Sequence, residues 1–300
     1  MAYFLLALAL AGGLAKGLSG KRVSRDVHSI QDSFAVTLIP SVFSSIIGLF
    51  VAAISVFASG NGLSDLILAP KAFLICLASS FFVALFSVSW QYAYKSEAYI
   101  FLNIFTMLGA VVTAILGRIV YDEPLRFTRI IGFVLLFCAV YIVSLYNKKL
   151  TGKITRHGAF ALLLGVTGAS LGDFMQKVYA REVGTNGSVF TFYTYTLMLL
   201  PMLAVLLICK KGGKAPTKIL FDKGHIYAFL LISAGLYVNS FSKVLAARLI
   251  PATQMYPTLQ GANLIASAIM ASIFFKEKIT KRSALGILIA IVAVILMNMA

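Results

Sequence analysis

An all-helical integral membrane protein, with ten transmembrane helices in two inverted five-helix repeats, is what the sequence predicts. Three observations carry that expectation. Of the 300 residues, 60% are hydrophobic and only 12% charged, and the mean hydropathy is +0.93, which is more apolar surface than one soluble core can bury. Residues 252–299, ATQMYPTLQGANLIASAIMASIFFKEKITKRSALGILIAIVAVILMNM, hold two apolar runs around a short basic turn, each run long enough for a bilayer core of roughly 30 Å. Residues 97–144, EAYIFLNIFTMLGAVVTAILGRIVYDEPLRFTRIIGFVLLFCAVYIVS, repeat that rhythm. A shift of 154 lays Ala98 on Ala252, Thr106 on Gln260, Thr113 on Ser267, Glu123 on Glu277 and Gly132 on Gly286.

The first span covers 2–20 and is interrupted by Lys16; the loop KRVSRDVHSIQD leads to a second span, 33–58, which Gly60, Asn61 and Gly62 break. MAYFLLALALAGG carries no basic segment before its apolar run, so it reads as a span and not a cleaved signal peptide. The third, fourth and fifth spans cover 72–92, 98–117 and 129–145. After the basic linker NKKLTGKITRH come 158–178, 189–209 and 226–246, and the 252–299 hairpin supplies the ninth and tenth. The repeats are therefore 1–150 and 151–300, and an odd number of spans per unit returns the second to the membrane upside down. The leading helices agree at a shift of 156, which pairs Phe4 with Phe160, Gly12 with Gly168 and Lys21 with Lys177. Gly13 with Gly17, and Gly168 with Gly172, have the small-residue spacing that lets helix backbones approach closely.

The net charge of +16 would suggest nucleic acid in a soluble chain, but here the lysines and arginines sit between apolar runs. Most of the 26 fall in the odd-numbered loops, which the positive-inside rule puts in the cytoplasm. Both termini are then extracytoplasmic, in a plasma (inner) membrane. Cys76, Cys138 and Cys209 lie within apolar runs, spaced for neither a disulfide framework nor a metal site. No HExxH, phosphate-binding-loop or nucleophile-elbow pattern occurs, and His28, His157 and His225 all fall in loops. A membrane enzyme is therefore disfavoured, no cofactor or catalytic residue is expected, and the expected partners are a small-molecule substrate and the surrounding lipid.

Ten spans, a duplicated five-helix unit, and a Glu in the turn after each fourth helix followed by a Gly in the fifth (YDEPLRFTRIIG and FKEKITKRSALG) resemble the drug/metabolite transporter superfamily, in particular its EamA-type carriers. The resemblance covers essentially the whole chain. It implies a secondary transporter whose substrate sits between the halves near mid-membrane and is exposed to either side in turn. Asn263, followed after ten residues by Phe274 and Phe275, is similar to the spacing after the GALNK motif of nucleotide-sugar carriers, although QGANLI here lacks the Lys. A nucleotide-sugar exchanger and a lipid flippase of the same fold are the alternatives. The flippase would show a laterally open cleft.

Polar residues on the ninth helix, Tyr256, Gln260, Asn263 and Ser267, form one stripe, and Asn103, Thr106, Thr113 and Gly117 form its twin. In hydrocarbon such a stripe either faces a watery cavity or binds a neighbouring helix, and a central cavity is the preferred reading. A charge at a span centre costs roughly 2.5–3.5 kcal/mol on insertion scales, so ionisable residues weigh more. Asp173 either pairs with Lys177 one turn on or serves as a proton-coupling site; Gln176 lies beside it. Lys243, four residues after Asn239, either holds an anionic substrate or reaches the interface, and Lys16 presents the same choice. Glu97 is explained by capping of its helix dipole. Trp90, Tyr92, Tyr94, Tyr193 and Tyr195 suit an interfacial belt, while Tyr237 and Tyr256 are the best placed to cage an organic cation. The substrate-binding set is thus Asn103, Thr106, Tyr237, Asn239, Tyr256, Gln260 and Asn263, with Asp173, Lys177 and Lys243 for coupling or charge.

Overall fold

A computed structural model describes residues 1–58, 66–96, 99–151, 156–184, 186–211, 223–276 and 280–298. Glu97, Glu277 and the Gly60–Asn61–Gly62 break lie outside them. Ten α-helices occur among the described residues: α1 (Ala2–Val23), α2 (Ile30–Ala58), α3 (Pro70–Ser96), α4 (Tyr99–Tyr121), α5 (Phe127–Thr151), α6 (Arg156–Glu182), α7 (Gly187–Lys211), α8 (Lys223–Leu249), α9 (Ala252–Phe275) and α10 (Lys281–Asn298). Among the described residues, seven stretches are long and apolar enough to cross a membrane: Ala2–Asp26, Ile30–Ala58, Pro70–Tyr94, Arg156–Glu182, Gly187–Lys211, Gly224–Leu249 and Ala252–Phe275. Phe105–Tyr121 and Phe127–Ile142 are shorter apolar helices, and the 18 residues of α10 span about 27 Å at 1.5 Å per residue.

Around an apolar interior, the outer surface is apolar too and small hydroxyls turn inward. Phe50, Ile54, Phe57, Leu163, Ile208 and Ile273 point outward, whereas Ser41, Ser44, Thr113, Ser170, Thr191 and Ser233 are buried. Lipid can cover the former but cannot satisfy the latter, so the hydroxyls turn inward and find acceptors there. Several donate to a carbonyl one turn back in their own helix: Ser170 to Val166 at 2.6 Å, Thr191 to Gly187 at 2.9 Å and Ser233 to Phe229 at 2.6 Å. Others tie helices together, as Ser44 Oγ does by donating to the Ser233 carbonyl at 3.0 Å.

The principal helix pairs are α1 with α8, α3 with α6, α2 with α7, α5 with α10 and α4 with α9. Exchanging each helix for the one five places along turns the first pair into the second and returns the other three to themselves. The closest crossings depend on glycine. A Cβ on Gly12 would lie 2.7 Å from the Gly235 carbonyl oxygen of α8, and one on Gly168 would lie 2.6 Å from the Phe86 nitrogen of α3. Those contacts correct the expectation for the first motif: Gly12 makes the backbone approach, while Gly13 and Gly17 border a cavity. The turns after α4 and α9 also agree in detail, since Asp122 and Lys276, 154 residues apart, both adopt left-handed conformations with φ of 51° and 54°.

Candidate functional site: a central cavity and its ion pairs

Side chains from α1, α3, α4, α6, α8 and α9, with Tyr195 of α7, line a cavity of about 100 Å³. Its polar lining includes Asn103 and Thr106 of α4, Asn239, Ser240 and Lys243 of α8, Gln260 and Asn263 of α9, and Asp173 and Gln176 of α6. Lys16 of α1 and the rings of Phe86, Trp90 and Tyr94 of α3 complete it. Asn263 Nδ2 donates to Asn103 Oδ1 at 3.1 Å, which joins the twin helices across the cavity. Asn239 Nδ2 donates to the Ala9 carbonyl at 2.6 Å, which ties α8 to α1 at the cavity wall.

Two buried ion pairs lie on one side. Lys243 Nζ bonds Asp173 Oδ1 at the cavity wall. Beyond it, Lys177 Nζ is 3.3 Å from Glu123 Oε1, and both side chains are under 10% exposed. Lys177 also donates to the Ala247 and Ile250 carbonyls at 2.9 and 3.0 Å, acceptors that the end of α8 leaves without helical partners. Glu123 Oε2 accepts the Thr253 N–H at 3.0 Å in the first turn of α9, where donors are in the same position. Arg129 extends the network through Thr253 Oγ1 at 2.8 Å, the Met297 carbonyl at 3.1 Å and the Pro124 carbonyl. The α4–α5 turn, α6, the α8–α9 junction and the end of α10 are thereby fastened together.

Seven of the ten sequence-derived residues meet at the cavity: Asn103, Thr106, Asn239, Gln260, Asn263, Asp173 and Lys243. Three do not. Lys177 does not pair with Asp173 along α6; it points to the α8–α9 junction, and Asp173 takes Lys243 from 70 residues away. Tyr256 is fully buried and its hydroxyl donates to the Asp173 carbonyl at 2.5 Å, so its ring offers no free face. Tyr237 is absent from the lining and stacks on Phe241 at 5.7 Å between centroids. The polar stripes also divide. Gln260, Asn263, Asn103 and Thr106 reach the cavity, but Ser267 Oγ donates to Leu264 at 3.0 Å, and Thr113 Oγ1 to Gly109 at 3.0 Å and Ser170 at 3.1 Å, which is helix packing. Trp90, Tyr94 and Tyr195, read as interfacial anchors, belong to the cavity instead. Glu123 entered only as part of a turn pattern; its partner Lys177 is 54 positions away, and spacing carries no signal for such a bond.

The sequence profile of the EamA-like transporter family matches residues 156–299. No curated protein matches by sequence. A solved structure described only as a crystal structure of a protein superposes with a TM-score of 0.73 at 11% identity, over 98% of this chain and 95% of that one, a likeness of fold alone. Over residues 156–299, just under half of the chain, the sequence is thus similar to the EamA-like transporter family, and these residues lie on an all-helical fold whose apolar helices suit a multi-pass membrane protein.

Proposed function

We propose that the protein is a secondary transporter that moves a small polar or charged organic metabolite by alternating access of the central cavity. The observation that carries this reading is the convergence of helices from both halves on one polar cavity, with a bonded charge pair in its wall. The units 1–150 and 151–300 act as inverted repeats that rock about the cavity, a reading supported by the self-mapping pattern of helix pairs. Charge bias in the loops supports both termini outside, in a plasma (inner) membrane, with odd loops in the cytoplasm. The Glu123–Lys177–Arg129 network then closes the extracytoplasmic end.

Asn103, Thr106, Asn239, Gln260 and Asn263 orient the substrate by hydrogen bonds, and the faces of Trp90 and Phe86 cover its apolar part. Asp173 is the coupling residue: a proton on its carboxylate frees Lys243 and loosens α6 from α8. Uptake of labelled metabolites into proteoliposomes, with and without an imposed pH gradient, tests this in the native protein and in Asp173→Asn. Gradient-driven accumulation lost in Asp173→Asn is the expected result. Accumulation unchanged in the variant removes Asp173 from the mechanism, and indifference of both proteins to the gradient makes the carrier a facilitator or exchanger.

A further inference from the structure

Charge in the cavity does not balance. Among the described residues, the lysines and carboxylates of its lining are Lys16, Asp173 and Lys243. Asp173 and Lys243 neutralise each other through a direct bond. Lys16 has no carboxylate within ion-pair distance among the described residues; its Nζ sits 5.3 Å from the centroid of the Phe86 ring. A ring face is a weak substitute for a counter-ion, contributing about 0.5–2 kcal/mol. Gln260 lines the same cavity and makes no hydrogen bond to another described residue. An ammonium group without a bonded anion, in one cavity with an unengaged amide and three aromatic rings, is an arrangement that can receive a carboxylate on a small apolar body.

We infer that the substrate is a small organic monoanion whose carboxylate binds Lys16, with Gln260 as a second donor and Trp90 against its apolar part. This rests on the reading of the cavity as a carrier site and narrows it: an organic cation would meet an uncompensated lysine at short range, and the aromatic cage expected at Tyr237 and Tyr256 does not face the cavity. Binding brings the cavity to neutrality before its helices move, and carrying a desolvated net charge through closure is what a membrane interior penalises most.

Trp90 is the single tryptophan of the chain and lines the cavity, so its fluorescence reports occupancy. Purified protein is titrated with lactate, phenylacetate and N-acetylglycinate, with the neutral primary amide of each, and with choline. At least one carboxylate is expected to change Trp90 emission saturably while its amide and choline do not. Lys16→Gln should weaken that binding by roughly ten- to a hundredfold, and Lys16→Arg should retain it. If Lys16→Gln does not fold, the acid-against-amide comparison in the native protein decides. An amide equal to its acid, saturation by choline, undiminished binding in a folded Lys16→Gln, or no response to any carboxylate overturns the assignment. Proteoliposome uptake of the same compounds separates the two claims. Accumulation of choline or an amide keeps the carrier and removes the anion, whereas an anion that binds but is never accumulated keeps the site and removes the carrier.

Discussion

Glu123–Lys177 and Asp173–Lys243 are both buried ion pairs that involve α6, yet they differ in what surrounds them. The first is saturated: Lys177 has two backbone carbonyls besides its carboxylate, Glu123 has a backbone N–H besides its ammonium, and the bonds lie at the ends of α8 and α9. Both pairs border a cavity, the first one of about 550 Å³ that Arg181, Arg248 and Pro251 also line, and the second the central one, with Asn239, Ser240 and Gln176 about it. The side chains of the second pair make no hydrogen bond to a described residue beyond the one between them. Buried charges need their hydrogen-bonding capacity filled, so a saturated pair is a fastener, while a pair with capacity to spare keeps room for another partner. Bonding capacity left over, more than the identity of the residues or a cavity beside them, separates the two pairs.

Substitution breaks that comparison most sharply at the fastener. Glu123→Gln leaves the Lys177 ammonium buried without its carboxylate, and thermal unfolding in detergent should show a loss of about 3–5 kcal/mol. The double variant Glu123→Gln with Lys177→Met should recover a substantial part, because no buried charge remains. If Glu123→Gln unfolds like the native protein, the network is not a fastener. At the cavity pair, Asp173→Asn should cost less, roughly 1–3 kcal/mol by the same measurement, since Lys243 borders a cavity that water can enter. A cost as large as that of Glu123→Gln would erase the distinction between the pairs. The smallest effect belongs to Lys71–Glu182, an exposed pair at 2.9 Å: Lys71→Met should leave the unfolding temperature unchanged within error, and a clear drop would mean that pairing here stabilises regardless of burial.

The sequence was informative where periodicity decides and silent where partners come from afar. Apolar runs and the 154-residue shift located the helices, and helical spacing alone placed Asn103, Thr106, Gln260 and Asn263 on cavity-facing sides. The same spacing misdirected Asp173, because an i, i+4 lysine looks like a partner until tertiary structure offers better ones: a carboxylate and helix-end carbonyls for Lys177, and Lys243 for Asp173. The stripes of α4 and α9 were continuous in sequence but not in environment, since one end borders the cavity and the other packs against α6 or its own helix. Trp90, Tyr94 and Tyr195 sit near helix ends along the chain, which is why they resembled a membrane belt. Their rings are turned inward by packing that no single helix encodes.

Whether the cavity is the transport pathway is tested most directly by chemical access along α9. In a protein with Cys76, Cys138 and Cys209 replaced by alanine, a cysteine is placed either at Asn263, which lines the cavity, or at Ile269, which faces outward and is 54% exposed. Both are treated with a membrane-impermeant thiol reagent in sealed proteoliposomes, with and without the transported solute. Asn263→Cys should react from one side of the bilayer and be protected saturably by the solute, while Ile269→Cys stays unreactive in lipid. An Asn263→Cys that never reacts, or reacts equally with and without solute, would contradict the assignment of this cavity as the route.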